Sequence, residues 1–221
     1  KASGNLSTVL GTLSNASAAG ATILGSASNA SGNASTVVGF NSTASGVNST
    51  IVGSFALANK TNAVAIGYKS QATLDDSVAL GSGSKTSRAA GTAGYDPTTL
   101  QNSTNTTSTW KANRAAIAIG DGTTITRQIT GLAAGTEDTD AVNVAQLKSV
   151  ATVASSAASS AAAAASTVTA NLAEIKTSVA DAKSAASNAA SSATASASSA
   201  TLSASSATAS ASSATLSASS A

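Results

Sequence analysis

The sequence contains neither cysteine nor histidine in its 221 residues. These two absences exclude disulfide bonds, Ser-His-Asp and Cys-His nucleophilic catalysis, and zinc sites built on nitrogen and sulfur ligands. Carboxylates, amines, hydroxyl groups and amides remain, and they form no catalytic constellation along the chain. The sequence therefore predicts a protein that is not an enzyme and that has neither a metal ion nor a cofactor.

Large apolar and charged side chains are also scarce. Aromatic residues make up 2% of the chain and charged residues 9%, and the 42% counted as hydrophobic is carried mostly by alanine. A single chain of such small side chains could bury little apolar area per residue, which would hardly offset the conformational entropy lost on folding. Burial must therefore come from repetition, from oligomerisation, or from both.

The charges are few and nearly balanced, with 11 basic and 9 acidic residues and a formal net charge of +2. They form no basic stripe of the kind that binds nucleic acid, so no nucleic-acid partner is expected. No apolar run approaches the roughly 18 residues of a membrane helix, and the N-terminal segment lacks the basic and apolar blocks of a signal peptide. The sequence predicts a soluble mature protein or a fragment of a longer one.

Glycine recurs every 14 residues after a pair of apolar residues. The repeat glycines are Gly11, Gly25, Gly39, Gly53, Gly67 and Gly81, and the pairs before them are Val9-Leu10, Ile23-Leu24, Val37-Val38, Ile51-Val52, Ala65-Ile66 and Ala79-Leu80. Such short repeats, rich in β-branched residues and bounded by Asn, Ser and Gly, predict two strands and two turns each. Each repeat is then one coil of a parallel β-solenoid, with equivalent residues stacked about 4.8 Å apart. The glycine marks a bend or a close backbone approach.

The two apolar residues before each glycine are neighbours in sequence, so in a strand they point to opposite faces. Only one of the two rows can fill the interior of the coil. We therefore expect the inward row to form the core and the outward row to pack against a neighbouring subunit.

The 14-residue spacing is interrupted after the sixth glycine, and the next matching segment ends at Gly120, 39 residues later. Residues 87–114 are predicted to form an insertion that projects from the solenoid. They contain the aromatic residues Tyr95 and Trp110 among many Thr, Ser and Asn residues. A projecting loop with aromatic residues is a candidate contact site, although Trp110 could instead fold back to cover the last coil.

From Val144 to Ala193, apolar and small residues follow alternating steps of three and four, without Pro or Gly. This pattern predicts a coiled-coil helix. Its larger seam residues are Val144, Leu147, Val168, Leu172, Ile175 and Val179. The acidic segment 137–140 is predicted to cap the start of the helix.

Beyond Ala193 the same steps land on serine, although the tail still repeats every seven residues. A register shift near residue 193 would place alanines in a thin core, namely Ala197, Ala204, Ala211 and Ala218. Alternatively, the tail is a Ser/Ala-rich linker that is disordered in isolation.

Two groups of motifs carry a family resemblance. Residues 62–67 and 76–81 read NAVAIG and DSVALG, and residues 127–135 and 138–147 read RQITGLAAG and DTDAVNVAQL. The first two resemble the head repeat of YadA-like trimeric autotransporter adhesins, and the other two resemble the neck of that family. The resemblance covers roughly residues 1–150, and the helical segment fits the family's stalk by type.

The resemblance implies a homotrimer with a left-handed parallel β-roll head over residues 1–120, a neck over 121–146 and a three-stranded Ala/Ser-rich coiled-coil stalk over 147–221. It also implies a virulence-associated passenger, held on the outer surface of a Gram-negative bacterium by a C-terminal outer-membrane anchor. This chain would then be a passenger fragment. The implied partners are host extracellular matrix proteins, cells or other surfaces, bound by three heads at once.

The first four repeats depart from the family pattern, because threonine replaces the usual valine at Thr8, Thr22, Thr36 and Thr50. The resemblance therefore implies adhesion as a class and no particular ligand. The candidate ligand-binding residues are Tyr68 and Lys69, next to a repeat glycine, and Tyr95 and Trp110 in the insertion. Two other functions stay open: the threonine row could bind ice or polysaccharide, or the repeats could be a structural spacer in a longer surface fibre.

Overall fold

The computed structural model describes residues 1–220, which divide into two units. The first unit, Lys1–Asn143, holds all of the described strands, and the second begins at Val144 and is one helix. The predicted solenoid and the predicted helix are both confirmed. The last residue of the predicted 147–221 stalk lies outside the described residues.

Each full coil of the first unit contributes one strand of three residues and one strand of two. The longer strands are β1 (Thr8–Leu10), β3 (Thr22–Leu24), β5 (Thr36–Val38), β7 (Thr50–Val52), β9 (Val64–Ile66) and β11 (Val78–Leu80), and with β14 (Ile117–Ala118) they form a seven-stranded parallel sheet in this order. The shorter strands are β2 (Asn15–Ala16), β4 (Asn29–Ala30), β6 (Thr43–Ala44), β8 (Leu57–Ala58) and β10 (Gln71–Ala72), and they form a second parallel sheet. Residues 14 apart in sequence are register partners, as Ile23 and Val37 are.

The interior of the solenoid is narrow and is filled by small side chains. The middle residue of each long strand points inward. It is partly buried in β1 (Val9) and buried in the following strands, which place Ile23, Val37, Ile51, Ala65 and Ala79 there. On the opposite sheet the inward residue is alanine in every two-residue strand, and each of these alanines is fully buried. A core this thin explains why the inward positions of the solenoid are held by alanine, serine and a few β-branched residues.

Buried serines connect successive coils through hydrogen bonds. The hydroxyl group of Ser28 donates to the carbonyl oxygen of Gly39 at 2.9 Å, and that of Ser42 donates to Gly53 at 2.8 Å. The Ser28 hydroxyl also accepts a hydrogen bond from the backbone N–H of Ser42 at 3.2 Å. These serines therefore satisfy polar groups that an apolar interior would leave unpaired.

Each coil turns through residues with left-handed backbone conformation, most of which are not glycine. Leu13, Phe55 and Lys69 have φ values of 58°, 58° and 54° at one corner, and Asn48 and Asn62 have values of 55° and 56° at the other. Such values are uncommon for residues with a β-carbon. Here they repeat in register, so the stacked coils hold each turn in place through the hydrogen bonds of the turns above and below.

The repeat glycines mark close backbone approaches. At Gly25 the φ angle is 146°, and a methyl group in place of its α-hydrogen would lie 1.9 Å from the carbonyl oxygen of Gly39. The same contact recurs from Gly11 to Gly25 and from Gly39 to Gly53, at 2.0 Å each. Only a residue without a β-carbon fits this row.

The insertion leaves the stack after β11 and returns to it at β14. Within it, β12 (Tyr95–Asp96) pairs antiparallel with β13 (Gln101–Asn102). After the insertion, Ile117 pairs with Val78 in the parallel register of the solenoid. The insertion thus lies between two neighbouring strands of one sheet, and its bounds at 87 and 114 stay a prediction.

Arg127 holds the end of the solenoid to the segment that follows. Its guanidinium group donates to the carbonyl oxygen of Ser82 at 2.6 Å, to the hydroxyl oxygen of Ser84 at 3.1 Å, and to the carbonyl oxygen of Ile119. The preceding turn is fixed by Asp121, whose pKa is lowered well below its usual range by hydrogen bonds from the Thr124 hydroxyl and from nearby backbone N–H groups. The open edge of the last coil is therefore covered by this segment.

We expect Arg127→Ala to lower the melting temperature of the first unit by roughly 3 to 5 °C, because three carbonyl or hydroxyl oxygens lose a charged donor. Thermal unfolding of the whole chain followed by circular dichroism measures the shift. The matched control is Arg114→Ala, since the exposed Arg114 pairs only loosely with Asp76 at 3.7 Å and such pairs contribute little. Equal shifts in the two variants would contradict the proposed closing role of Arg127.

The second unit is one helix, Val144–Ser219, and none of its described residues is buried. It includes the Ser/Ala-rich tail, where hydroxyl groups donate to the carbonyl oxygen four residues earlier, as Thr201 does to Ala197 at 2.9 Å. No helix within residues 1–220 has the length and apolarity that a membrane crossing requires.

The predicted cap of this helix is wrong. The acidic segment 137–140 precedes the helix, whose first turn contains no acidic residue. The Asp140 carboxylate instead accepts hydrogen bonds from the backbone N–H groups of Thr136 at 2.9 Å and Glu137 at 3.1 Å. These bonds lower the pKa of Asp140, and they close a turn upstream of the helix rather than cap it.

Candidate functional site

An apolar face runs along the outside of the seven-stranded sheet. The last residue of each long strand points outward, and these residues stack in register: Leu10, Leu24, Val38, Val52, Ile66 and Leu80. We call this set the outer apolar row. Its members are 37% to 68% exposed, so no described residue of the chain covers it fully. A contiguous exposed apolar surface of this kind is typical of a protein interface.

The threonine row lies on this same face. Thr8, Thr22, Thr36 and Thr50 begin the strands that end in the outer apolar row, two residues away. Thr8 is exposed, and the other three are half-buried. In β9 and β11 the corresponding residues are Val64 and Val78. The outward face is therefore two columns wide and becomes fully apolar in its last two coils.

Three aromatic side chains form a ridge at one corner of the coils. The rings of Phe40 and Phe55 meet edge to face with centroids 5.5 Å apart, and those of Phe55 and Tyr68 meet at 5.8 Å. The amino group of Lys69 lies 5.2 Å from the centroid of the Tyr68 ring. The structure thus brings together the predicted pair Tyr68 and Lys69. Sequence reasoning missed Phe40 and Phe55, although both follow a repeat glycine by one or two residues.

The other predicted pair, Tyr95 and Trp110, lines a cleft of about 550 Å³ in the insertion. The backbone N–H of Gly94 donates to the carbonyl oxygen of Trp110 at 2.7 Å, which joins the two sides of the cleft. Tyr95 is 59% exposed, and Trp110 is half-buried. Tyr95 and Trp110 therefore share one cleft, which Tyr68 and Lys69 do not line.

The helix carries an uncovered apolar stripe. Its predicted seam residues are between 50% and 66% exposed: Val144, Leu147, Val168, Leu172, Ile175 and Val179. Among residues 1–220, no group of three or more acidic, cysteine or histidine side chains could hold a metal ion.

Family models match both units. The YadA head domain repeat matches residues 24–42, 30–56 and 58–84, and the coiled stalk of trimeric autotransporter adhesin matches residues 128–170. The chain belongs to the YadA-like trimeric autotransporter adhesin family. Its solenoid is a YadA-like head and its helix a YadA-like stalk, as the sequence motifs predict.

Two curated relatives are similar over part of the YadA-like chain. Autotransporter adhesin BadA of Bartonella henselae is 52% identical over 62 residues, which is 28% of this chain and 2% of the relative. Trimeric autotransporter adhesin AtaA of Acinetobacter sp. strain Tol 5 is 49% identical over 74 residues, or 31% of this chain and 2% of the relative. The chain therefore matches a very small part of these long proteins.

Two solved structures are also similar to the YadA-like chain. A C-terminal YadA-like domain from Burkholderia pseudomallei is 26% identical with a TM-score of 0.31, over 52% of this chain and 50% of that one. The collagen-binding domain of Yersinia adhesin YadA is 24% identical with a TM-score of 0.29, over 63% of this chain and 84% of that one.

In the YadA-like stalk we expect Ile175→Asp to lower the melting temperature by roughly 10 °C or more, because every chain of an oligomer would place a carboxylate in the seam. Circular dichroism at the helix band measures this loss, and the intrinsic affinity of an intact head should not change. Thr177→Asp is the matched control, since Thr177 lies on the opposite side of the helix from the seam. Equal destabilisation by both variants would contradict the predicted seam.

Proposed function

We propose that this chain is the head, neck and stalk region of a homotrimeric bacterial surface adhesin. In this proposal the head attaches the cell to host extracellular matrix, to cells or to other surfaces. The outer membrane would hold the full-length protein through an anchor, as in the family. The observation that carries the proposal is the outer apolar row, which runs through six successive coils and which no described residue of the chain covers fully.

A trimer would cover the apolar surfaces of both units. Three copies of the outer apolar row could face one another, and three helices could bury the stripe that contains Leu172 and Ile175. An isolated helix gains most of its stability in proteins from packing of such a stripe, and an alternating three-and-four spacing is the pattern that packs helices side by side. Oligomerisation also supplies the burial that the small side chains cannot supply alone.

Adhesion by a trimer is multivalent. Three identical heads joined by one stalk present each binding surface three times, so a weak single contact becomes strong through effective concentration. The proposed contact residues are Tyr68 and Lys69 on the corner ridge, and Tyr95 and Trp110 in the insertion. They are exposed or half-buried, and they lie outside the outer apolar row.

The position of the threonine row argues against an ice-binding role. Thr22, Thr36 and Thr50 share their face with the outer apolar row, so a trimer that covers this row would remove the threonines from bulk water. An ice-binding surface must stay open to water. The proposed trimer contact therefore covers the same face that an ice-binding protein would have to expose.

The test measures mass and attachment on the same sample. Light scattering of the whole chain should give the mass of three chains, and the trimer should bind to at least one surface in a panel of immobilised matrix proteins and cultured cells. A monomer would overturn the trimeric part of the proposal. A trimer that binds no surface in the panel would overturn adhesion by these residues and would favour the structural spacer.

A further inference from the structure

Three clefts follow one another along the insertion and the last coil. The cleft of about 550 Å³ that holds Tyr95 and Trp110 also contains Arg88 and Lys111. Arg88 lines a second cleft of about 320 Å³, together with Lys85 and Arg127. Lys111 lines a third cleft of about 450 Å³. Neighbouring clefts share lining residues, Arg88 in one pair and Lys111 in the other, so the three clefts adjoin. We call them together the cationic track.

The cationic track concentrates positive charge in a chain that has little charge. Lys85, Arg88, Lys111 and Arg127 line it, and no carboxylate of the described residues lines any of its three clefts. Before Lys60 the chain carries a single charged side chain, that of Lys1. With no acidic neighbour in the clefts to neutralise them, the four cationic groups create a positive potential along the track.

Two acidic side chains stand next to cleft-lining residues in the sequence, and both are engaged in hydrogen bonds. The Asp121 carboxylate, between Gly120 and Gly122, accepts from the backbone N–H groups of the turn that follows it. The Asp96 carboxylate, next to Tyr95, accepts from the hydroxyl group and the backbone N–H of Thr98 at 2.6 and 2.8 Å. These bonds lower the pKa of Asp96. Asp96 therefore serves the hairpin turn and does not pair with the cations of the track.

The middle cleft adds groups that suit a sugar ring. Tyr95 and Trp110 offer aromatic faces for the C–H side of a pyranose, and Asn102, Ser108 and Thr109 offer amide and hydroxyl groups for its hydroxyls. The backbone holds this cleft in shape, since Ser103 N–H donates to the Gly94 carbonyl and Ala116 N–H donates to the Arg88 carbonyl, at 2.8 and 3.0 Å. A cleft that is formed before binding loses less entropy when the ligand arrives.

We propose that the cationic track binds a linear anionic polysaccharide, one that carries sulfate or uronic-acid groups. A polymer matches three connected clefts better than a single small anion does, and the aromatic and hydroxyl lining matches sugar rings between the charged groups. Arg88 and Lys111, each shared by two clefts, bind successive anionic groups. This inference rests on the proposed adhesive function and gives it a ligand class.

The test uses the whole trimeric chain and a heparin-derived sulfated hexasaccharide, with binding measured by titration calorimetry. We expect the double variant Arg88→Gln/Lys111→Gln to weaken binding by about tenfold or more, because charge-assisted hydrogen bonds to the anionic groups are lost. The control Lys1→Gln/Lys60→Gln removes the same net charge from two exposed residues that line none of the three clefts and belong to no proposed contact surface, and it should change affinity less than about twofold. Unchanged melting temperatures in both variants establish that the fold is kept.

A second variant separates sugar recognition from simple charge attraction. Trp110→Ala should weaken the affinity for the hexasaccharide by about fivefold. It should leave the affinity for inorganic polyphosphate, a polyanion without sugar rings, nearly unchanged. If the two double variants weakened hexasaccharide binding equally, the net charge of the protein would account for the binding. The proposed role of the cationic track would then be overturned. Tighter binding of single-stranded DNA than of the hexasaccharide would overturn the ligand class.

The inference and the adhesive proposal can fail separately. A chain that attaches to cells but does not bind the hexasaccharide overturns the cationic track and leaves adhesion standing. A chain that binds the hexasaccharide through Arg88 and Lys111 but attaches to no surface overturns adhesion and leaves the site standing. Enzymatic removal of sulfated glycans from the cells should abolish attachment only when both are correct.

Discussion

Gly25→Ala is expected to unfold the YadA-like head, with a loss of at least about 4 kcal/mol of unfolding free energy. The added methyl group would lie 1.9 Å from the carbonyl oxygen of Gly39 in the next coil. That oxygen belongs to a stacked backbone, so it cannot move without disturbing the coils beyond it. Urea unfolding of the whole chain, followed by circular dichroism at the β-sheet band, measures the loss.

The matched control is Gly131→Ala. Gly131 also has a positive φ angle, of 72°, but an added methyl group there meets nothing within 4 Å. Its substitution introduces backbone strain without a clash and should cost only about 1 kcal/mol. If Gly25→Ala cost no more than this control, the glycine row would be required for conformation and not for the close approach of coils.

The effect at Gly25 should spread, because each coil depends on its neighbours. The N–H of Gly25 donates to Leu10 at 2.8 Å, and the N–H of Gly39 donates to Leu24 at 2.9 Å. A coil pushed out of place loses bonds on both sides, and in a repeat fold stability is shared between adjacent repeats. We therefore expect one cooperative loss of the head rather than a local opening.

The sequence predicted the parts of this fold that follow from periodicity. The 14-residue glycine spacing was enough to predict the coils, and the alternation of Ile51 and Val52 across a strand was enough to predict one inward and one outward row. It could not predict the left-handed turns, because Leu13 and Phe55 are residues that avoid this conformation. Their φ angles are imposed by the stacked coils, a tertiary effect that no local pattern carries.

The candidate sites could be predicted less well than the fold, because they depend on which distant segments the chain topology brings together. Lys85 and Arg127 lie far apart in sequence, and they line the same cleft because β14 returns to β11 after the insertion. The prediction that Asp140 caps the helix was wrong, because its carboxylate accepts hydrogen bonds from the nearer backbone N–H groups of Thr136 and Glu137. Residue type alone indicated Tyr95 and Trp110, whereas the cleft they share required the hairpin of the insertion.

The change from threonine to valine on the outer face follows a change inside the coil. Where the outward residue is Thr36 or Thr50, the inward neighbour is the β-branched Val37 or Ile51, and where it is Val64 the inward neighbour is Ala65. In the later coils the inward side chain is therefore smaller, and the outward side chain is more apolar, than in the earlier coils. A trimer contact along this face should therefore be strongest at β9 and β11.

Ile66→Asp tests that contact where it should be strongest. Ile66 lies between Val52 and Leu80 in the outer apolar row and is 37% exposed in the single chain. In a trimer, three carboxylates would meet in an apolar contact without cationic partners, at a cost of several kcal/mol. Hydrogen exchange followed by mass spectrometry should show amide exchange at least about tenfold faster in β7, β9 and β11.

Leu13→Asp is the control, because Leu13 is equally apolar but 91% exposed at a corner of the coil, where its left-handed conformation suits aspartate. It should leave exchange unchanged. Since the stalk also holds the chains together, Ile66→Asp alone should keep the mass of three chains, and only its combination with Ile175→Asp should give monomers. If Ile66→Asp left the exchange of β9 unchanged in a protein of three chains, the heads would be held together by the stalk alone and the outer apolar row would face another partner.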